Sequence, residues 1–169
     1  MRRLVLAVLG SVALLVAGPA APAAGSRPPG RPLPAFVLDG LAFGYLPAGL
    51  GRTTDFAYHF QRVDFRARVW ESPIPEGWTV DLDVDVMRGK RLTDARALHD
   101  WFVSYDQRPP AEAQYVPVRV TGHRGWRCQD QVFWLVHPGL AVSVQLNRRA
   151  FTTHQVMRIA RSARELAVG

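Results

Sequence analysis

The chain is poor in the residues that staple small exported proteins together. It has one cysteine, Cys128, in 169 residues, so no disulfide can form within the chain and a hydrophobic core must carry the fold. The same lack excludes paired-cysteine zinc sites. Lysine is almost missing as well, since Lys90 is the only one among 21 basic residues. There is no phosphate-binding loop, no G-x-S-x-G and no H-E-x-x-H, which removes the signatures of P-loop nucleotide hydrolases, α/β-hydrolases and zinc peptidases. No apolar run reaches the roughly 20 residues that a membrane-spanning helix needs. No internal repeat stands out beyond the alternation of strands.

The N-terminus has a different character from the rest. Arg2 and Arg3 precede an uncharged apolar stretch from Leu4 to Ala17, and Ala21-Pro22-Ala23 follows. A positive start, a short apolar core and a small-residue cleavage site mark a secretory signal, so residues 1–24 are read as a leader cut near Ala23. Retention as an anchor is the alternative. Residues 25–35 hold four prolines and two glycines and are expected to be a disordered spacer. The remaining 36–169 make a single domain. Cleavage would remove two arginines and no acid, taking the net charge from +7 to +5. A modestly basic exported chain suits an envelope polymer, a lipid or a protein as partner, and not nucleic acid. The preference for arginine over lysine, with many Ala, Gly and Pro, suggests a high-GC bacterial source.

Within the domain, the period-2 pattern of strands dominates. Val63, Phe65, Ala67 and Val69 alternate with Asp64, Arg66, Arg68 and Trp70. After Ser72-Pro73-Ile74-Pro75-Glu76-Gly77, Trp78, Val80, Leu82, Val84 and Val86 alternate with Thr79, Asp81, Asp83 and Asp85. This predicts a β-hairpin with the valines in the core and the aspartates in water. Pairing Glu71 with Trp78 would set Arg68 against Asp81 and Arg66 against Asp83. On that assignment Leu82→Asp unfolds the domain, and Asp83→Ala barely shifts its melting point. Phe36–Leu38 and Leu41–Tyr45 flank Asp39-Gly40, a two-residue turn signal. Strand character returns at Phe56–Phe60. Pro117 places the strand Tyr115–Val120 at an edge. Val132–Val136 is apolar on both parities and so reads as central, with Ala141–Leu146 as its partner. Helices are expected after Thr93 or Asp94, with Ala95, Leu98, Trp101, Phe102 and Tyr105 inward, and from Thr152 or Thr153 to Leu166. The fold class is therefore α+β: a curved antiparallel sheet of six or seven strands with two helices, the last one C-terminal.

Candidate sites are few. Asp81, Asp83 and Asp85 project about 7 Å apart from one strand face. They are read as a solvated acidic stripe, with a metal site as the alternative, although the glycine-bearing loop of calcium sites is missing. No cofactor is expected. Cys128 reads as a small buried apolar side chain rather than a nucleophile served by His99, His123 or His137. Arg158, Arg161 and Arg164 recur every three residues on the last helix, either as its solvated face or as a basic surface for anionic polymers or lipid. Arg66, Arg68 and Trp70, together with Trp126, form the preferred binding surface on the outer face of the sheet.

The second half carries a resemblance. Val118-Arg119-Val120-Thr121-Gly122, Phe133-Trp134-Leu135 and Pro138-Gly139-Leu140-Ala141-Val142-Ser143-Val144 precede the final helix, and Leu46-Pro47-Ala48-Gly49 stands near the domain start. This order resembles the bacterial extracytoplasmic domain of unknown function found in secreted proteins and at the C-termini of some anti-sigma-factor and lipoprotein-sorting-like chains. The resemblance implies a secreted domain and supplies no catalytic residues. The resulting expectation is a non-enzymatic binding or interaction module at the cell envelope. A small envelope hydrolase using the histidines and aspartates is one alternative, and a lipid carrier is the other.

Overall fold

A computed structural model describes residues 35–167, so the leader and all but the last residue of the spacer lie outside the described residues. The strands are β1 (Phe36–Leu38), β2 (Leu41–Phe43), β3 (Arg52–Phe60), β4 (Val63–Ile74), β5 (Gly77–Arg88), β6 (Val116–Val120), β7 (His123–Cys128), β8 (Gln131–His137), β9 (Leu140–Leu146) and β10 (Ala163–Glu165). Helix α1 (Ala95–Asp106) follows β5, and α2 (Thr153–Arg161) follows β9. Seven strands form one antiparallel sheet in the order β3-β4-β5-β9-β8-β7-β6, and β1-β2-β10 form a second, smaller one. The class is α+β, as the alternation predicts.

Local chemistry explains the junctions. Asp39 and Gly40 both have positive φ, 44° and 82°, the two left-handed positions of a tight hairpin turn. Asp94 caps α1 by accepting from the N–H groups of Arg96 and Ala97 at 2.9 Å, which satisfies two orphan donors of the first turn. In α2 the Thr152 N–H donates to Gln155 Oε1 at 2.8 Å. The helix ends at Arg161, five residues short of the expected run, because Ala163–Glu165 pair with β2. Leu166 consequently lies outside the helix and is exposed.

The large sheet is covered differently on its two faces. On one, Trp70, Leu82, Val84, Val86, Val132, Trp134, Val142 and Val144 pack against Val156, Ile159 and Ala160 of α2 and against Phe36, Leu38, Leu41 and Phe43 of the small sheet. On the other, Val63, Phe65, Met87, Phe133 and Ala141 pack against Leu98, Trp101 and Phe102 of α1. Each such side chain contributes roughly 1.5–3 kcal/mol by burial. β8 is interior, with Val132, Phe133 and Trp134 sealed from both sides, and β6 is an edge.

The hairpin departs from its predicted register. β4 continues through Pro73 and Ile74 to a tight turn, so Pro73, not Glu71, pairs with Trp78. A bulge then leaves Asp81 without a cross-strand partner: Glu71 pairs with Val80 and Trp70 with Leu82. Beyond the bulge the shift from the predicted pairing is three residues, an odd number, which exchanges the faces of the partner strand. Arg68 opposes Val84, and Arg66 opposes Val86. Ala67 opposes Asp85, and Val69 opposes Asp83. Asp83 and Asp85 therefore share the face covered by α1. Asp85 is 7% exposed and Asp81 3%, while Trp78 and Val80, expected inside, are 49% and 46% exposed.

Candidate functional site

Helix α1 lies over β7 and β8, and its C-terminal turn reaches the β3–β4 side through Tyr105, which packs on Phe65 and Phe60. The sheet beyond that turn has no helix above it. Following the pairing register, this open region carries Arg52, Thr54, Phe56 and Tyr58 from β3 and Val69 and Glu71 from β4. β5 adds Trp78, Val80, Asp83 and Asp85, and β9 adds Ser143 and Gln145. Phe56 and Tyr58 are 49% and 40% exposed. Arg52 bridges to Glu71 and stacks its guanidinium 3.6 Å from the Trp78 ring centre.

A buried polar belt separates the open region from the apolar packing under α1. The Tyr58 hydroxyl donates to Asp85 Oδ1 at 3.4 Å and lies 2.9 Å from the Tyr105 hydroxyl. Asp85 pairs across the strands with Ser143, whose Oγ accepts from Gln131 Nε2 at 3.2 Å. Gln131 in turn accepts from Arg108 Nη2 at 2.9 Å. Arg108 bridges Asp106 and Asp130, and Asp106 also accepts from the Tyr115 hydroxyl at 3.0 Å. Burial raises the Asp85 carboxyl well above the usual carboxylate range; the neighbouring Asp83 adds to the rise, and the Tyr58 hydroxyl opposes it. Burial alone pushes Asp83 up to about 6. Burial likewise raises the Tyr58 phenol, with Asp85 contributing. These are carboxyls that hold a proton more readily than exposed ones do.

Asp83 opens toward a cleft of about 500 Å³ between the start of β5 and the end of β9, lined also by Thr79, Val80, Asp130, Gln145 and the segment Leu146–Arg149. Its Oδ1 is buried without a hydrogen-bond partner. Asp81 is engaged elsewhere, its Oδ2 accepting from the Gly51 N–H at 3.0 Å and the Ser72 hydroxyl at 2.6 Å. That contact requires glycine, because a Cβ at Gly51 would collide with the Glu71 carbonyl. The three aspartates do not converge, and among the described residues no three His, Cys, Asp or Glu side chains are placed to hold a metal ion.

The preferred surface of the sequence analysis is not one surface. Trp70 is 5% exposed and lies edge-on to Phe36, 5.1 Å between ring centres, in the core under the small sheet. Trp126 lies on the opposite face, stacked on Phe133 and tilted against His99 beside α1. Arg68 binds both carboxylate oxygens of Asp55 at 2.6 Å and the Val37 carbonyl at 3.2 Å, tying β3 and β1 to β4. Arg66 is exposed, on a shallow groove with Ala57 and His59. On α2, Arg161 is exposed, and Arg158 lies 3.9 Å over the Tyr45 ring. Arg164 belongs to β10, not to the helix. Among the described residues the arginine–carboxylate pairs all use Arg52, Arg68, Arg88, Arg96 or Arg108. From Arg119 onward no arginine has a carboxylate partner among the described residues.

Cys128 is buried and its Sγ donates to the Glu112 carbonyl at 3.0 Å, pinning the loop after α1. The histidines stand apart from the acid pair. His59 bonds Asp64 beside the β3–β4 turn, His99 packs among aromatics, and His137 faces Glu165. Sequence reasoning missed the Tyr58–Asp85–Tyr105 contact and the Arg108 belt. The one available signal was the acidic residue at every second position of a strand otherwise rich in valine.

No protein-family model matches the chain, no curated protein matches it, and no solved structure matches it.

Proposed function

We propose that this domain is a non-catalytic binding module that works at the bacterial cell envelope and takes its ligand on the open half of the α1 face of the large sheet. The observation that carries the reading is the exposure of Phe56 and Tyr58 on β3 and of Trp78 and Val80 on β5, each 40% or more, on that one face, with Val80 lining the Asp83 cleft. Grouped large apolar side chains rimmed by polar groups mark a surface that meets a partner. The signal-like N-terminus and the likeness of residues 118–144 to bacterial extracytoplasmic domains support the location. The unpaired arginines of the C-terminal third support a negatively charged setting.

Co-sedimentation with envelope fragments of the producing organism tests this. The protein is expected in the pellet, and a Phe56→Ser/Val80→Ser variant of unchanged circular dichroism is expected in the supernatant. A wild-type protein that stays in the supernatant, or a variant that pellets equally well, overturns the reading.

A further inference from the structure

We infer that the cleft between the start of β5 and the end of β9 is a carbohydrate subsite, in which Asp83, Gln145 and Arg149 engage the hydroxyls of a glycan and Trp78 packs on a sugar ring. The inference rests on the binding-module reading and gives its ligand a chemical class. At about 500 Å³ the cleft falls within the roughly 300–1,000 Å³ of small-ligand sites. Its walls are mostly hydrogen-bonding side chains, with Val80 and Leu146 as the apolar ones. An alkyl chain would leave those polar groups unsatisfied, which is costly, whereas a polyol can answer both donors and acceptors.

Several of these groups are fixed in advance. Asn147 donates to Thr79 Oγ1 at 3.3 Å and accepts from the Arg149 N–H at 3.0 Å, which sets the loop that carries Arg149. Asp83 lines the cleft from β5 with one carboxylate oxygen, the other, Oδ1, being buried. Amide and guanidinium are planar groups able to take two neighbouring hydroxyls at once. Trp78 precedes Thr79 in the chain and shares the face of Val80. Arg52 covers one side of its ring, and the side chain is still half exposed. An aromatic face beside a few placed polar groups suits a ligand that is apolar on its ring faces and polar at its rim.

The test is calorimetric titration of the protein with the N-acetylglucosamine tetramer and with maltotetraose, followed by tryptophan fluorescence. Saturable binding to at least one is expected, with a change in tryptophan emission. Asp83→Asn, which keeps the shape, and Gln145→Ala should each weaken it about tenfold, and Arg161→Glu on α2 should leave it unchanged. No saturation with either sugar up to about 10 mM overturns the inference, as does binding that both cleft variants leave intact. If envelope fragments pellet the protein while neither sugar binds, the carbohydrate assignment fails alone; if neither the fragments nor the sugars bind, both readings fail.

Discussion

The two faces of the seven-stranded sheet are built from the same strands and solve different problems. The face under α2 and the small sheet is sealed at its centre: Trp70, Leu82, Val84, Val86, Val132, Trp134, Val142, Val144 and Leu146 are at most 5% exposed. The face under α1 is closed over β7, β8 and the neighbouring Val63, Phe65, Met87 and Ala141, and where the helix ends it carries two carboxyls, two phenols and a belt of ion pairs. Burial of apolar surface fixes the fold on the first face. On the second, polar groups with few water contacts border the open half of the face, an arrangement that lowers stability and is found at sites of function.

The contrast can be broken most severely on the sealed face. Leu82→Asp puts an unpaired charge where exposure is nil, and it is expected to abolish cooperative unfolding in urea followed by circular dichroism, a loss beyond about 5 kcal/mol. Arg108→Ala comes next. It strands Asp106, Asp130 and Gln131 and should cost on the order of 3 kcal/mol in the same measurement.

The acid pair gives an effect of the opposite sign. The folded-state value of Asp83, about 6, lies above its ordinary 3.8, so the folded chain binds more protons than the unfolded one between these values. Stability from this group is fully present below pH 3.8 and is lost as pH rises through about 6, by a total on the order of 3 kcal/mol. Asp85, also raised, acts in the same direction. Urea midpoints should therefore fall from pH 5 to pH 8 in the wild type and fall less in Asp83→Asn, which becomes the more stable of the two at pH 8. The smallest effect belongs to the open rim. Val80→Thr, at a half-exposed site, should move the midpoint by less than about 0.5 kcal/mol.

Much of this architecture was legible in the chain. The alternation of β4 and β5, the two-sided apolarity of Val132–Val136, the Asp94 cap and Pro117 at an edge all act through local geometry, and local geometry is what periodicity reports. The register of the hairpin was not legible. It depends on whether a strand ends at Glu71 or continues through Pro73, and on a bulge at Asp81 held by Gly51 and Ser72, residues 30 and 9 positions away. An odd shift exchanges faces, so the aspartates read as solvated were assigned to the wrong layer, and Trp70 and Trp126 were placed together although the sheet lies between them. The turn Gln61-Arg62, with φ of 46° and 66°, was hidden for the same reason: neither residue is a customary left-handed one. The candidate site was illegible because it is assembled from β3, β5, β9 and the end of α1, which only the tertiary fold brings together.

The placement of Asp83 on the inner, half-open face is the claim on which the rest depends. Carboxyl carbon NMR shifts of Asp83, followed from pH 3 to pH 8 and assigned through Asp83→Asn, measure it directly. A titration midpoint near 6 is the predicted result. A midpoint near 3.8, the value of a carboxylate in water, would contradict it and return the aspartates to the solvent side.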